Sequence, residues 1–265
     1  VASGLIATDA LDALVREADP AVLDVRGMAA YLKGHIPGAV STRWQEFLDP
    51  HSPVKGILHP DSAELARRFG ALGVTNDRPV VVYSEPFEYW GAEGRFYWML
   101  NYLGHDDVRV LDGGFPKWRR EGRDVAHMPT RAKERPFTPV VRLETLVDRE
   151  GVEAALDDPE AVVVDARSSE EYAKEGHVPG AVNLPWSALY TEDGTLRPEP
   201  ELRALFAAAG ITPDREIVPY CTGGVRSAWV FAVLHLLGYP RLRNYDGSWW
   251  DWTHDGRMPI EGRSG

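Results

Sequence analysis

The sequence predicts a tandem α/β protein, and three observations carry that reading. Short β-branched runs alternate with amphipathic helical patterns along all 265 residues. The strand candidates are continuously apolar, as expected of parallel strands covered on both faces. The chain also contains itself twice. VLDVRGMAAYLKGHIPGAV (22–40) recurs as VVDARSSEEYAKEGHVPGAV (163–182), which aligns Asp24 with Asp165, Arg26 with Arg167 and Tyr31 with Tyr172. YLGHDDVRVLDGGFPKW (102–118) recurs as LLGYPRLRNYDGSWWDW (236–252). The period is too long for a solenoid and is that of a duplicated domain.

Taken in order, Val22–Asp24, Val80–Tyr83 and Val108–Leu111 read as strands of the first copy, and Val162–Asp165 and Ile217–Tyr220 as strands of the second. SAELARRFGALG and PELRALFAAAG read as helices closed by Gly73 and Gly210. HMPTRAKERPFTP (127–139) is polar, basic and proline-containing, as linkers are. The expected organisation is a domain over 1–126, a linker over 127–139 and a second domain over 140–265. Each is a mostly parallel sheet with helices on both faces.

Composition excludes several classes. The net charge of −11 argues against general binding to nucleic acid or anionic membranes. One cysteine rules out an intramolecular disulfide and any all-cysteine metal site. No metal or cofactor is expected. No run approaches the length of a membrane span, and the opening VASGLIATDALDALV lacks the basic-then-apolar order of a secretory signal. A cytoplasmic monomer is the expectation.

The chemistry concentrates in VPYCTGGVRSAWV (218–230), which holds the sole cysteine. Ile217–Tyr220 should be a buried strand ending at Cys221, with Pro219 requiring an edge-facing or terminal place because it cannot donate to a ladder. From Ser227 onward the apolar AWVFAVLHLLG should be a buried helix stopped near Gly238. A strand–loop–helix joint at the C-terminal edge of a parallel sheet aims consecutive N–H groups and a helix N-terminus at one spot. Gly223 and Gly224 let the loop curl, and Arg226 adds positive charge. A thiol there should ionise readily. Alone, a cysteine at a strand end is more often a small buried apolar residue. The glycine pair, the downstream arginine and the helix start together reverse that preference.

With D-A-R…GHVPGAVN before it and YDGSWWDW after it, Cys-x4-Arg at such a joint resembles the rhodanese family of sulfurtransferases. The first half resembles the cysteine-free domain of the tandem members. The resemblance implies double displacement, in which Cys221 takes a sulfane sulfur from a donor as a persulfide and passes it to cyanide or another thiol. It implies that main-chain N–H groups of Thr222, Gly223, Gly224, Val225, Arg226 and Ser227 bind the persulfide, and that Arg226 attracts an anionic donor. The related phosphatases use Cys-x5-Arg; here that position is Ser227, so a phosphate ring is disfavoured.

Three features bear on the donor. Enzymes acting on 3-mercaptopyruvate are implied to carry CG[ST]GV, where this chain has Gly223. Their N-domain histidine motif is displaced here to His59, in GILHP. The arginine they place before the aromatic after D-x-R is Glu171, which departs from thiosulfate enzymes too. Thiosulfate is the favoured donor, with 3-mercaptopyruvate transfer and persulfide delivery to a protein partner as alternatives. Arg167 is expected to support the loop or reach it from the neighbouring strand, while its recurrence as Arg26 favours a structural pair. By the same resemblance, Trp249 is a candidate wall of the active cleft and Arg95 could face it. Ser84, opposite Cys221 in the repeat, should be inert, with no suitable base or glycine nest nearby.

Overall fold

The computed structural model describes residues 4–262. Two compact units form. The first runs through Leu48, resumes over His59–Arg142 and includes Tyr190–Leu196. The second takes Asp49–Leu58 and Leu143–Leu189, and continues from Arg197. Each unit therefore contains a short segment encoded in the other half of the chain.

In the first unit the elements are β1 (Leu5–Ile6), α1 (Thr8–Glu17), β2 (Ala21–Asp24), α2 (Met28–Tyr31), β3 (Val40–Ser41), α3 (Ser62–Ala71), β4 (Val80–Tyr83), α4 (Ala92–Tyr102), β5 (Val108–Leu111) and α5 (Gly114–Arg120). The sheet order is β1-β5-β4-β2-β3, and every pairing is parallel. All four residues of β2 and of β4 are buried, which is why the sequence shows unbroken apolar runs there rather than alternation. Asp61 caps α3 by accepting from Ala63 and Glu64 N–H, and the chain leaves that helix through Gly73 at φ +87°. The expected linker carries no regular structure, yet Phe137 is buried and the Arg135 carbonyl lies against Gly70 of α3. A side chain at Gly70 would collide with that backbone, which accounts for a glycine inside a helix.

The second unit repeats the order with β6 (Leu146–Val147), α6 (Arg149–Asp157), β7 (Ala161–Asp165), α7 (Ser169–Glu175), β8 (Val182–Asn183), α8 (Glu199–Ala208), β9 (Glu216–Tyr220), α9 (Arg226–Leu236), β10 (Asn244–Tyr245) and α10 (Ser248–Trp252). Here the sheet separates into β8-β7-β9 and β10-β6, joined by a single bridge between Ile217 and Leu242. Pro219 supplies the reason. The Ile217 N–H bonds to the Arg241 carbonyl, and alternate residues of a strand point the same way. The nitrogen of Pro219 therefore faces β10 with no hydrogen to give. Its counterpart Val82 pairs with Val110 across an uninterrupted ladder.

Both units carry the same buried tether. In the second, Asp165 accepts from Arg167 Nη2 at 2.7 Å and from the Tyr220 hydroxyl at 2.6 Å. Arg167 also donates to the Gly176 carbonyl at 2.7 Å and Glu175 at 3.2 Å. In the first, Asp24, Arg26, Tyr83 and the Gly34 carbonyl reproduce the arrangement. Tyr220 also accepts the Val178 N–H, so the network fixes the turn of the HVPG motif against the central strand.

Candidate active site

Cys221 stands at the C-terminal end of β9 and is 1% exposed. Thr222, Gly223, Gly224 and Val225 complete the loop before α9 begins at Arg226. Gly224 has φ +77°, a left-handed conformation that glycine adopts freely and other residues only at a cost of about 1–2 kcal/mol. Burial pushes the Cys221 thiol up. The Arg226 guanidinium, the Ser227 N–H and hydroxyl and the Gly223 N–H outweigh that, and the net shift is downward. Ser227 Oγ is buried and has no other hydrogen-bond partner among the described residues, and its hydroxyl favours the thiolate.

The loop is held by Ser248, the first residue of α10. Its hydroxyl accepts from both Cys221 N–H and Gly224 N–H, each at 3.1 Å, and donates to the Tyr245 carbonyl at 2.7 Å. Ser248 adopts φ +53°, an uncommon value for a residue with a side chain. The next two N–H groups of α10, from Trp249 and Trp250, donate to the carbonyls of Cys221 and Thr222 at 2.9 and 3.0 Å. The Gly224 N–H donates to Ser248, and the N–H groups of Gly223 and Ser227 act on the sulfur. Ser248→Ala would remove the shared acceptor of two buried N–H groups and should cost about 1–3 kcal/mol. Urea denaturation checks this, and an unchanged midpoint would show that the two donors find other partners.

Arg226 is occupied. It grips Glu171 with two bonds, Nη1 to Oε2 at 2.7 Å and Nη2 to Oε1 at 2.8 Å, and it also donates to Thr222 Oγ1. Glu171 reaches it from the first turn of α7, where it completes a capping box with Ser168. Burial raises the Glu171 carboxyl, but Arg226 and Ser168 pull it down to about 2, so the pair is ionised at every working pH.

The other expected residues fall at varied distances from this chemistry. Arg167 is fully enclosed, its three guanidinium nitrogens committed to Asp165, Glu175 and Gly176. Its guanidinium lies over the rings of Trp249, at 4.3 Å, and Tyr220, at 5.8 Å, which adjoin the loop. Trp249 itself is 8% exposed and belongs to the core beneath the loop. The tryptophan that lies on the loop is Trp250, 37% exposed, whose ring covers Gly223. Gly56, from the Asp49–Leu58 segment, closes against the same ring and the Gly223 carbonyl. Arg95, on α4 of the first unit, is fully enclosed with its guanidinium 4.8 Å from the Trp98 ring.

Ser84 occupies the equivalent joint in the first unit, at the end of β4. Contrary to expectation it has a carboxylate beside it. Its hydroxyl donates to Glu93 at 2.6 Å, and the other oxygen of Glu93 accepts from Tyr190 at 2.5 Å. Glu93 lies nine residues on, in the first turn of α4, where spacing alone gave no signal. Ser84 is 1% exposed and its carbonyl accepts the Phe115 N–H, so the group ties the joint together.

A duplicated α/β frame in which one copy retains a thiolate-favouring loop defines a two-domain sulfurtransferase. The chain belongs to the rhodanese family, whose rhodanese-like domain matches it twice, over residues 7–121 and 148–255. It is 36% identical to the sulfur carrier protein TtuD of Thermus thermophilus, over 97% of this chain and 95% of that protein. It is 34% identical to a thiosulfate sulfurtransferase of Pseudomonas aeruginosa, over 91% of this chain and 90% of the relative. Among solved structures, the anaerobic ergothioneine biosynthesis enzyme from Chlorobium limicola superposes with a TM-score of 0.88 at 25% identity, covering 99% of this chain and 71% of that one. Among the described residues no helix is long and apolar enough to cross a membrane.

Proposed function

We propose that the chain moves a sulfane sulfur from thiosulfate to cyanide or another thiophilic acceptor through a persulfide on Cys221. The observation that carries this is the buried Cys221 thiol, drawn toward the thiolate by Arg226, Ser227 and Gly223. The thiolate attacks the outer sulfur of the donor. The donor S–S bond breaks, sulfite leaves with the electron pair, and a new S–S bond remains on Cys221. In the second half the lone pair of the acceptor attacks the terminal sulfur, and the Cys221 thiolate is restored as leaving group. No general base is needed for either half.

The donor assignment draws support from relatives named thiosulfate sulfurtransferase and from the covering of Gly223 by Trp250. A hydroxylated side chain at that position, as the 3-mercaptopyruvate loop would have, meets the indole ring. One observation favours a second reading, delivery of the persulfide to a protein partner: the Arg226 charge is matched by Glu171, which weakens the pull on small anions. The test is intact-protein mass after thiosulfate treatment, then after cyanide. A gain of one sulfur atom that cyanide removes is expected. Failure to gain sulfur from thiosulfate, with gain from an organic persulfide, would move the assignment to the carrier.

A further inference from the structure

We infer that Glu171 is a specificity-determining residue that holds Arg226 away from incoming anions, so that a dianionic donor must displace it to reach Cys221. This rests on the sulfur-loading reading of the Cys221 loop. Arg226 is the cation that acts most strongly on the cysteine, and both of its terminal nitrogens bond the two oxygens of one carboxylate. Such planar, bidentate pairing is the arrangement in which guanidinium binds carboxylate best, and it commits both terminal nitrogens that an incoming anion's oxygens would otherwise engage. Thiolate, guanidinium and carboxylate together sum to one negative charge, and this favours neutral or weakly anionic donors at the loop.

The carboxylate is itself fixed. Ser168 N–H and hydroxyl donate to Glu171 Oε2 at 3.0 and 2.9 Å, and Thr222 Oγ1 lies 3.4 Å from Oε1. The helix cap thus preorganises the clamp before any ligand arrives. Because Glu171 stays ionised down to a pH of about 2, the restraint does not relax with acidity near neutrality. A glutamine serves a capping box as well as a glutamate does, so Glu171→Gln removes the charge and keeps the helix start.

The experiment measures sulfite release and persulfide formation against thiosulfate concentration in four proteins: wild type, Glu171→Gln, Arg226→Ala and the double variant. For Glu171→Gln the half-saturating concentration should fall about tenfold, on the scale of one partly exposed charge. The gain should shrink at high salt and vanish in the Arg226→Ala background, since Glu171 acts through Arg226. Loading of wild type and Glu171→Gln at the same half-saturation would overturn the inference and leave thiosulfate standing as donor. Loading of Glu171→Gln alone would support the inference while removing thiosulfate as the natural donor. No loading of either would overturn the thiosulfate reading, and this inference with it.

Discussion

Cys221→Ser lowers turnover of thiosulfate with cyanide by at least roughly 10⁴-fold, the scale on which loss of a covalent nucleophile is felt. A serine hydroxyl in the same nest cannot become an anion near neutral pH, and the loop offers no base to take its proton. The companion effect lies in the pH dependence. Loading follows the thiolate fraction, so its rate rises with pH and levels off below the ordinary thiol range, because the Cys221 thiol is shifted down. Arg226→Ala deletes the strongest of the downward influences and leaves the Glu171 carboxylate uncompensated near the loop. Both changes disfavour the thiolate, so the rising limb should move to higher pH. Iodoacetamide alkylation rates across pH provide the check. A profile unmoved by Arg226→Ala would mean that the loop N–H groups set the thiolate on their own.

Gly223→Ala should reduce kcat/KM by roughly 10²-fold, the cost of displacing a reacting group by about an ångström, and should destabilise the fold by about 1–3 kcal/mol through overpacking. An added Cβ would collide with the Trp250 ring, and that ring is backed by Gly56. The loop must then shift, and the Gly223 N–H that favours the thiolate shifts with it. Trimming the obstacle gives the decisive comparison. In a Trp250→Ala background the same glycine change should be mild, and equal losses in both backgrounds would rule out the steric account.

Much of this architecture was legible in the sequence. The continuous apolar runs marked buried parallel strands, and the repeat marked the duplication, because both signals are local in the chain. Cys221 was legible for the same reason: nucleophile, glycines, cation and helix start occupy one short stretch. Pro219 hinted at an interrupted ladder, and the break in the second sheet falls where its missing N–H points. What escaped was tertiary. Glu171 was noticed as a departure from the family pattern, but no spacing rule links residue 171 to residue 226. Trp249 and Trp250 are neighbours, and nothing local in the sequence marks which one enters the core; α10 opens on Ser248 at φ +53° and buries Trp249. Glu93 was missed as the partner of Ser84 because the intervening loop turns back through Phe87, Trp90 and Gly91, all at positive φ.

The segment Asp49–Leu58 belongs to the second unit, and Tyr190–Leu196 to the first. A duplicated gene begins with two separable copies, either of which can be lost. Once each half has lent the other a stretch of chain, deletion of the cysteine-free copy also removes Gly56, and with it the backing of Trp250 over the sulfur-holding loop. Part of the packing of the half that has a nucleophile is thereby removed along with the half that has none. Its retention needs no second catalytic activity to explain it.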